Sequence, residues 1–283
     1  MLRGAYERRD TAVLHAGVVT RNFWTEQAPA LAEAYARNSG PIRFEVVTRA
    51  LREHLSSGPQ RIVDVGGGYG RQAVMLARLG HSVVVADHDP TMLAMAREAV
   101  KDEARPVRAR IELVLCVGEA AARVVGADFD LACCHSVLMY VDDPAPMVSS
   151  LVQLVRPGGL ISVLSVNKDA IAMRSGLQGR WREAAECLLG GSQAGDRYAP
   201  SKAYARKDIV QLLGAAGARI KKWYGVGIFT DHLATSCDPD EIVEACALEW
   251  LAGGRDPYRQ VARCFHLIAQ RNRTAGFVEE LTS

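Results

Sequence analysis

The sequence predicts an α/β protein built on a parallel, doubly wound sheet with helices on both faces. Three observations carry that expectation. Arg61 to Val65 is an apolar, β-branched run with a single acid; it breaks into Gly66, Gly67, Gly68 and Gly70 and resumes as a helical pattern from Arg71. Further apolar runs alternate with helical patterns along the next hundred or so residues, the order of βαβ units. An acid, Asp87, closes the second run 21 residues after Gly66, the position from which a βαβ unit addresses ribose hydroxyls.

The elements follow in order. Residues 1–40 read as helical and mixed in polarity, with Arg3, Arg8 and Arg9 at the start and Phe23, Trp24 and Tyr35 as aromatic surface. Asn38-Ser39-Gly40-Pro41 is a loop signal. Arg43 to Leu55 forms an amphipathic helix with Val46, Val47, Ala50 and Leu51 on one face, either a plain cap on the core or a lid. After the glycine turn, Val74, Leu76, Ala77 and Leu79 share a helical face, and His81 to Asp87 is the second strand. Pro90 suits the first turn of a helix running to Val100. Ile111 to Cys116 is a third strand, followed by Gly118-Glu119, where a backbone N–H and a carboxylate suit the edge of an adenine ring. Phe129 to Cys134 is a fourth, ending at His135 on the edge where open α/β sheets bind ligands.

Ala145 to Val155 reads as a helix stopped by Arg156-Pro157-Gly158-Gly159, and Leu160 to Val166 as a fifth strand before Asn167-Lys168. Residues 168–207 turn polar and glycine-rich, an inserted helical segment with a loop near 190–200. Asp208 to Ala216 returns to helix, Ala218 to Tyr224 to strand, Pro239 to Leu251 to helix and Val261 to Ala269 to a last strand.

Composition bounds the function. The 283 residues are 49% apolar and 23% charged with a net charge of +2, ordinary for a globular protein with a sizeable core. The charge is too small to imply nucleic-acid binding, although a local basic face is compatible with it. Seven cysteines show neither a C-x-x-C pair nor zinc spacing, so reduced thiols, no metal centre and a cytoplasmic location are expected. Cys133 and Cys134 sit in an apolar run and read as core. No apolar stretch is long enough for a membrane span.

The glycine turn separates two kinds of nucleotide site. A dinucleotide fingerprint needs glycine three positions after Gly68, where Arg71 stands. The pattern present is D-x-G-x-G-x-G, on Asp64, Gly66, Gly68 and Gly70. Together with Asp87, Gly118-Glu119, the strand before His135 and Arg156-Pro157-Gly158-Gly159, it resembles the class I S-adenosylmethionine (SAM) methyltransferases. His135-Ser136-Val137-Leu138-Met139-Tyr140-Val141-Asp142-Asp143-Pro144, the strand ending at Asn167, Tyr204-Ala205-Arg206 and Gly225-Val226-Gly227-Ile228-Phe229-Thr230-Asp231 narrow the likeness. They resemble the bacterial tRNA 5-carboxymethoxyuridine methyltransferase family, from roughly residue 30 to 271.

The resemblance implies a Rossmann-like, mostly parallel seven-stranded sheet over residues 57–271, an N-terminal helical cap or lid over 1–56, an inserted lid segment over 168–207 and a tail over 272–283. It implies SAM as cofactor and S-adenosyl-L-homocysteine as product, with Arg43, Asp64, Gly66, Gly67, Gly68, Asp87, His88, Gly118, Glu119 and His135 around the cofactor. Tyr35, Tyr140, Asn167, Tyr204, Arg206 and Phe229 fall on the acceptor side. There are departures: the loop from Asn38 to Arg43 is short, Met139 replaces an acid, and Gly227 stands where that family tends to carry an arginine.

A carboxylate acceptor is already ionised at neutral pH and needs a cation to place it, for which Arg206 and Lys168 are candidates. A phenol or alcohol would use a base, and His135 is the candidate. Met139, Gly227 and the aromatic N-terminal stretch favour an enclosed apolar pocket and a small-molecule acceptor. Esterification of a carboxymethoxyuridine in tRNA is the alternative, and a non-catalytic SAM-binding regulator a second one. Oligomeric state is left open between monomer and homodimer.

Overall fold

The computed structural model describes residues 40–190, 202–233 and 239–273. Tyr35, the rest of the N-terminal stretch, the loop near 191–201 and the tail from 274 lie outside the described residues. Seven strands form one sheet: β1 (Arg61–Val65), β2 (Ser82–Asp87), β3 (Ile111–Leu115), β4 (Phe129–His135), β5 (Val155–Val166), β6 (Ala218–Val226) and β7 (Cys264–Arg271), in the order β3-β2-β1-β4-β5-β7-β6. β1 to β5 pair in parallel; β7 inserts antiparallel between β5 and β6. This is the mostly parallel seven-stranded sheet expected.

Local chemistry explains the helices that matter. In α1 (Gly40–His54), Ile42, Phe44, Val46, Val47, Ala50 and Leu51 are buried, so it packs as part of the core layer. The glycine turn leads into α2 (Arg71–Arg78). Asp89 caps α3 (Pro90–Lys101), accepting from the N–H groups of Thr91 and Met92, with Pro90 in the first turn. A short α4 (Arg105–Arg108) and α5 (Ala121–Val124) flank β3. Asp143 caps α6 (Pro144–Leu154) through Ala145 N–H. The inserted segment contributes α7 (Met173–Leu177) and α8 (Trp181–Leu188); α9 (Arg206–Ala215) and α10 (Pro239–Gly253) complete the layers.

The sheet has two distinct faces. One packs Val63, Val65, Ala132, Cys134, Ile161, Val163, Phe265 and Leu267 against α6 and α9 and is mostly apolar, with Ser165 buried among them. The other packs Ile62, Cys133, Leu164 and Ile268 toward α1, α2 and α10. Cys133 and Cys134 are fully buried, and burial pushes both thiols up, as expected of core residues.

Two strand starts differ by three residues or more from the sequence reading. The fifth strand starts at Val155, not Leu160: its register against β4 slips between Phe129 and Leu131, and Gly158 takes φ +80°. Arg156-Pro157-Gly158-Gly159 is therefore a bulged strand entry. The last strand starts at Cys264, not Val261, because Tyr258–Val261 coil into a 3₁₀ turn. Among the described residues no helix is long and apolar enough to cross a membrane, and no group of His, Cys, Asp and Glu side chains is placed to hold a metal ion.

Candidate active site

The carboxyl ends of β1, β2 and β4 converge on the glycine turn. Gly66, Gly68 and Gly70 have φ of +68°, +55° and +78°, a region side chains rarely adopt. A Cβ on Gly66 would lie 2.4 Å from a Val137 methyl, and one on Gly67 would lie 2.9 Å from Asp64 Oδ2. Asp87, ending β2, holds the turn: its Oδ2 accepts from Gly68 N–H at 2.8 Å and its Oδ1 from Asp89 N–H at 2.9 Å. Burial pushes the Asp87 carboxyl up, while those two N–H groups and His88 pull it down. His88 is half exposed, with Nδ1 3.6 Å from Asp87 Oδ1.

Asp64 is 2% exposed, and its Oδ2 is buried with no hydrogen-bond partner among the described residues. Burial, then the neighbouring Asp87 carboxylate, pushes its pKa up to about 7. An orphaned carboxylate oxygen beside a tight glycine turn calls for a donor or a cation from beyond the described residues, a bound ligand included. Across the turn, Gly118 has no room for a side chain, since a Cβ there would meet Met147 at 2.4 Å. Glu119 beside it is exposed.

At the end of β4, His135 is partly buried, and its Nε2 lies 2.7 Å from Ser162 Oγ. Burial, His266 and Arg43 hold its pKa well below the ordinary value, so the ring is neutral at pH 7. Next to it, Arg43 reaches from α1 and donates to Ser136 Oγ at 2.8 Å. Tyr140 is half-buried on the following 3₁₀ turn, Leu138–Tyr140. Met139 is core.

Three residues expected on the acceptor side are occupied by structural contacts. Asn167 is buried, with Nδ2 donating to the carbonyls of Gln260 and Ala262 and Oδ1 accepting from Asp169 N–H. It ties the end of β5 to the turn before β7. Tyr204 donates from its hydroxyl to Val141 O at 3.1 Å. Arg206 lies 4.4 Å over the Trp223 ring, which Arg259 also covers at 4.2 Å. Lys168 is exposed. Phe229 packs beside Ile228, 6.2 Å from the Tyr258 ring.

Beyond the end of β6 lies a small cavity of about 30 Å³, lined among others by Arg43, Gly227, Thr230, Asp231, Glu249 and Arg263. Its wall mixes these charged groups with Ile42, Val46, Val226 and Cys264. Two of these residues carry no sequence signal. Glu249 is 1% exposed, and its carboxylate accepts from the N–H groups of Ile228, Phe229 and Thr230 and from the Thr230 hydroxyl at 2.8–3.0 Å. It shapes the 228–230 loop from α10. Arg263 precedes β7; its Cβ would be 3.3 Å from a Cβ on Gly227, and its Nε is 3.8 Å from Asp231 Oδ2. The glycine at 227 thus makes room for an arginine arriving from another strand. Arg174 approaches the same Asp231 at 3.7 Å.

Comparison with known proteins agrees with this geometry. Residues 63–163 match the family described as "Methyltransferase domain". The chain is 28% identical over 252 residues to the tRNA 5-carboxymethoxyuridine methyltransferase of Escherichia coli, covering 85% of this chain and 94% of that one. It is 27% identical over 228 residues to the ubiquinone biosynthesis O-methyltransferase of Xylella fastidiosa, covering 78% and 88%. In fold it resembles a SAM-dependent methyltransferase of Thermotoga maritima, a possible histamine N-methyltransferase, with a TM-score of 0.56 at 14% identity over 89% of this chain and 99% of that one. Residues 63–163 thus form a methyltransferase domain, and the chain is a SAM-dependent methyltransferase with the seven-stranded class I type of fold.

Proposed function

We propose that the enzyme methylates a carboxylate oxygen of a small anionic acceptor. The observation that carries this reading is the convergence of Arg43 and Arg263 on one cavity beyond the end of β6, with Arg43 also reaching Ser136 after β4. Arg43 and Arg263 in its wall and Arg174 beside Asp231 are three cations against the two carboxylates of Asp231 and Glu249. An anion entering there meets a net positive field.

The residues present fit SAM. Asp64 and the turn at Gly66, Gly67 and Gly68 would hold its amino-acid end, Asp87 with His88 its ribose, and Gly118 and Glu119 its adenine. Bound SAM supplies an electrophilic methyl on a sulfonium. The chain's own residues then align and desolvate the acceptor. Arg263 and Arg43 place the carboxylate, and Glu249 fixes the loop that carries Thr230 and Asp231. A carboxylate is ionised at pH 7, so no general base is needed, in keeping with a His135 ring whose pKa is depressed.

A second reading is supported by the likeness over 94% of the length of the E. coli tRNA 5-carboxymethoxyuridine methyltransferase: the carboxylate would belong to a modified uridine in tRNA. The chemistry is the same; only what carries the acid differs. The test is incubation of the full chain with methyl-tritiated SAM and, separately, small carboxylic acids, phenols and bulk tRNA. Label on a small acid that mild alkali releases as methanol is the expected result. Alkali-releasable label on tRNA alone selects the second reading, and alkali-stable label contradicts ester formation.

A further inference from the structure

Behind His135 three side chains form a hydrogen-bonded row across β4, β5 and β7. His135 Nε2 and His266 Nε2 each lie 2.7 Å from Ser162 Oγ, and the two rings meet edge-on with centroids 5.5 Å apart. The strand register brings them together: His135 and His266 both pair with Leu164, two residues along β5 from Ser162. Ser162 and His266 are 0% exposed. His266 Nδ1 is buried without a hydrogen-bond partner among the described residues.

A serine hydroxyl has one proton. Between two neutral imidazoles it donates to one Nε2 and must accept from the other, so the two rings take opposite tautomers. His266 decides which. If Ser162 donated to His266, that ring would carry its proton on Nδ1, an N–H buried with no acceptor, which folded proteins rarely tolerate. In the reverse arrangement Nδ1 is a lone pair, the milder of the two mismatches.

We propose that His266 and Ser162 are positioning residues that fix His135 as its Nδ1–H tautomer, so that His135 offers the site a hydrogen-bond donor in place of a base. The proton order is His266 Nε2–H to Ser162 Oγ, then Ser162 Oγ–H to His135 Nε2. Nδ1 is then the His135 nitrogen left for an incoming group, and it carries a proton suited to an acceptor oxygen or to SAM. Both rings are held neutral: burial and His54 lower His266 to about 3, and burial, His266 and Arg43 lower His135. The tautomer lock stands on the buried geometry alone; the donor role rests on the placing of His135 at the methyl-transfer site.

The test is long-range proton–nitrogen correlation NMR on the full chain labelled with ¹⁵N-histidine, at pH 7 without acceptor. A protonated Nδ1 on His135 with a protonated Nε2 on His266 is expected. A protonated Nε2 on His135, or an imidazolium at either position, overturns the lock. His266→Gln keeps an N–H donor to Ser162 and should preserve the His135 tautomer, whereas His266→Leu and Ser162→Ala should leave His135 a tautomer mixture. In those two variants kcat should fall, with about 10²–10³-fold, the effect of losing one oriented donor outright, as the upper bound. Wild-type spectra as expected with kcat unchanged in Ser162→Ala would overturn the donor role while the proposed acceptor class stands.

Discussion

The two faces of the sheet do different work. On the face covered by α6 and α9, the inward side chains of β4, β5 and β7 are mostly apolar, from Ala132 and Cys134 through Ile161 and Val163 to Phe265 and Leu267, with the single buried hydroxyl of Ser165 among them. On the face covered by α1 and α10, a polar row interrupts the core: His135, Ser162, His266 and then Tyr224, whose hydroxyl meets His54 Nε2 at 2.9 Å. Buried polar groups are retained at a cost in stability and must be fully partnered to be harmless. The hydrogen-bonded polar row lies beside Arg43 and Ser136 at the end of β4, while the opposite face has no such row among the described residues, which is the asymmetry the proposed site predicts.

This contrast can be broken from either side. The largest effect is expected on the polar face at its edge, from Glu249→Ala. Four buried donors lose their acceptor, and chemical denaturation should show a loss of about 3–5 kcal/mol. On the apolar face, Leu151→Ala removes a fully buried side chain and should cost about 2–5 kcal/mol by cavity formation, with the affinity for S-adenosylhomocysteine retained in the folded fraction. A loss of cofactor affinity matching that of a glycine-turn variant would erase the distinction between the faces.

Asp64 gives a pH-dependent effect of intermediate size. Its folded pKa of about 7 lies above the ordinary 3.8, so the folded state binds the extra proton in that interval. Stability therefore falls as pH rises from about 4 to about 7, and Asp64→Asn should remove that fall. Without cofactor, the variant should exceed wild type at pH 8 by on the order of 2–4 kcal/mol and match it near pH 4, measured by urea melts at both pH values. The same substitution should weaken S-adenosylhomocysteine binding, since it removes the charge that the ligand's ammonium group would meet. The smallest effect on folding is expected from Arg263→Ala, an ordinary surface-scale change of about 0.5–1 kcal/mol. Its readout is kinetic: KM for the acceptor should rise at least tenfold, while cofactor affinity stays constant.

What the sequence made legible is what local chemistry encodes. The glycine turn, Asp87 at the end of β2 and the proline-started, Asp-capped helices are each set by a few consecutive residues. Their spacing carries the cofactor site without tertiary information. Glu249, Arg263 and the Ser162–His266 contact are set by the antiparallel insertion of β7 and the packing of α10, which brings together residues 104 apart in the case of Ser162 and His266. A glutamate inside a helix reads as a surface residue until the loop it cradles is placed. Asn167, Tyr204 and Arg206 show the opposite case, structural contacts that the sequence did not reveal. They are polar residues near the expected mouth, but the strand ends, the 3₁₀ turn and the Trp223 ring already use their hydrogen-bonding or stacking groups. The early start of β5 was hidden because Pro157 and Gly158 read as a stop, whereas a bulge admits them.

The most direct test of the cofactor site is a calorimetric titration with S-adenosylhomocysteine of the wild type and of Asp87→Ala, with the fold of each checked by circular dichroism. Wild type should bind, and a folded Asp87→Ala should bind at least tenfold more weakly, by about 1.5–3 kcal/mol for each lost hydrogen bond to the carboxylate. Equal affinity in a folded Asp87→Ala, or no binding by wild type, would contradict the assignment of the glycine turn and Asp87 as the cofactor site.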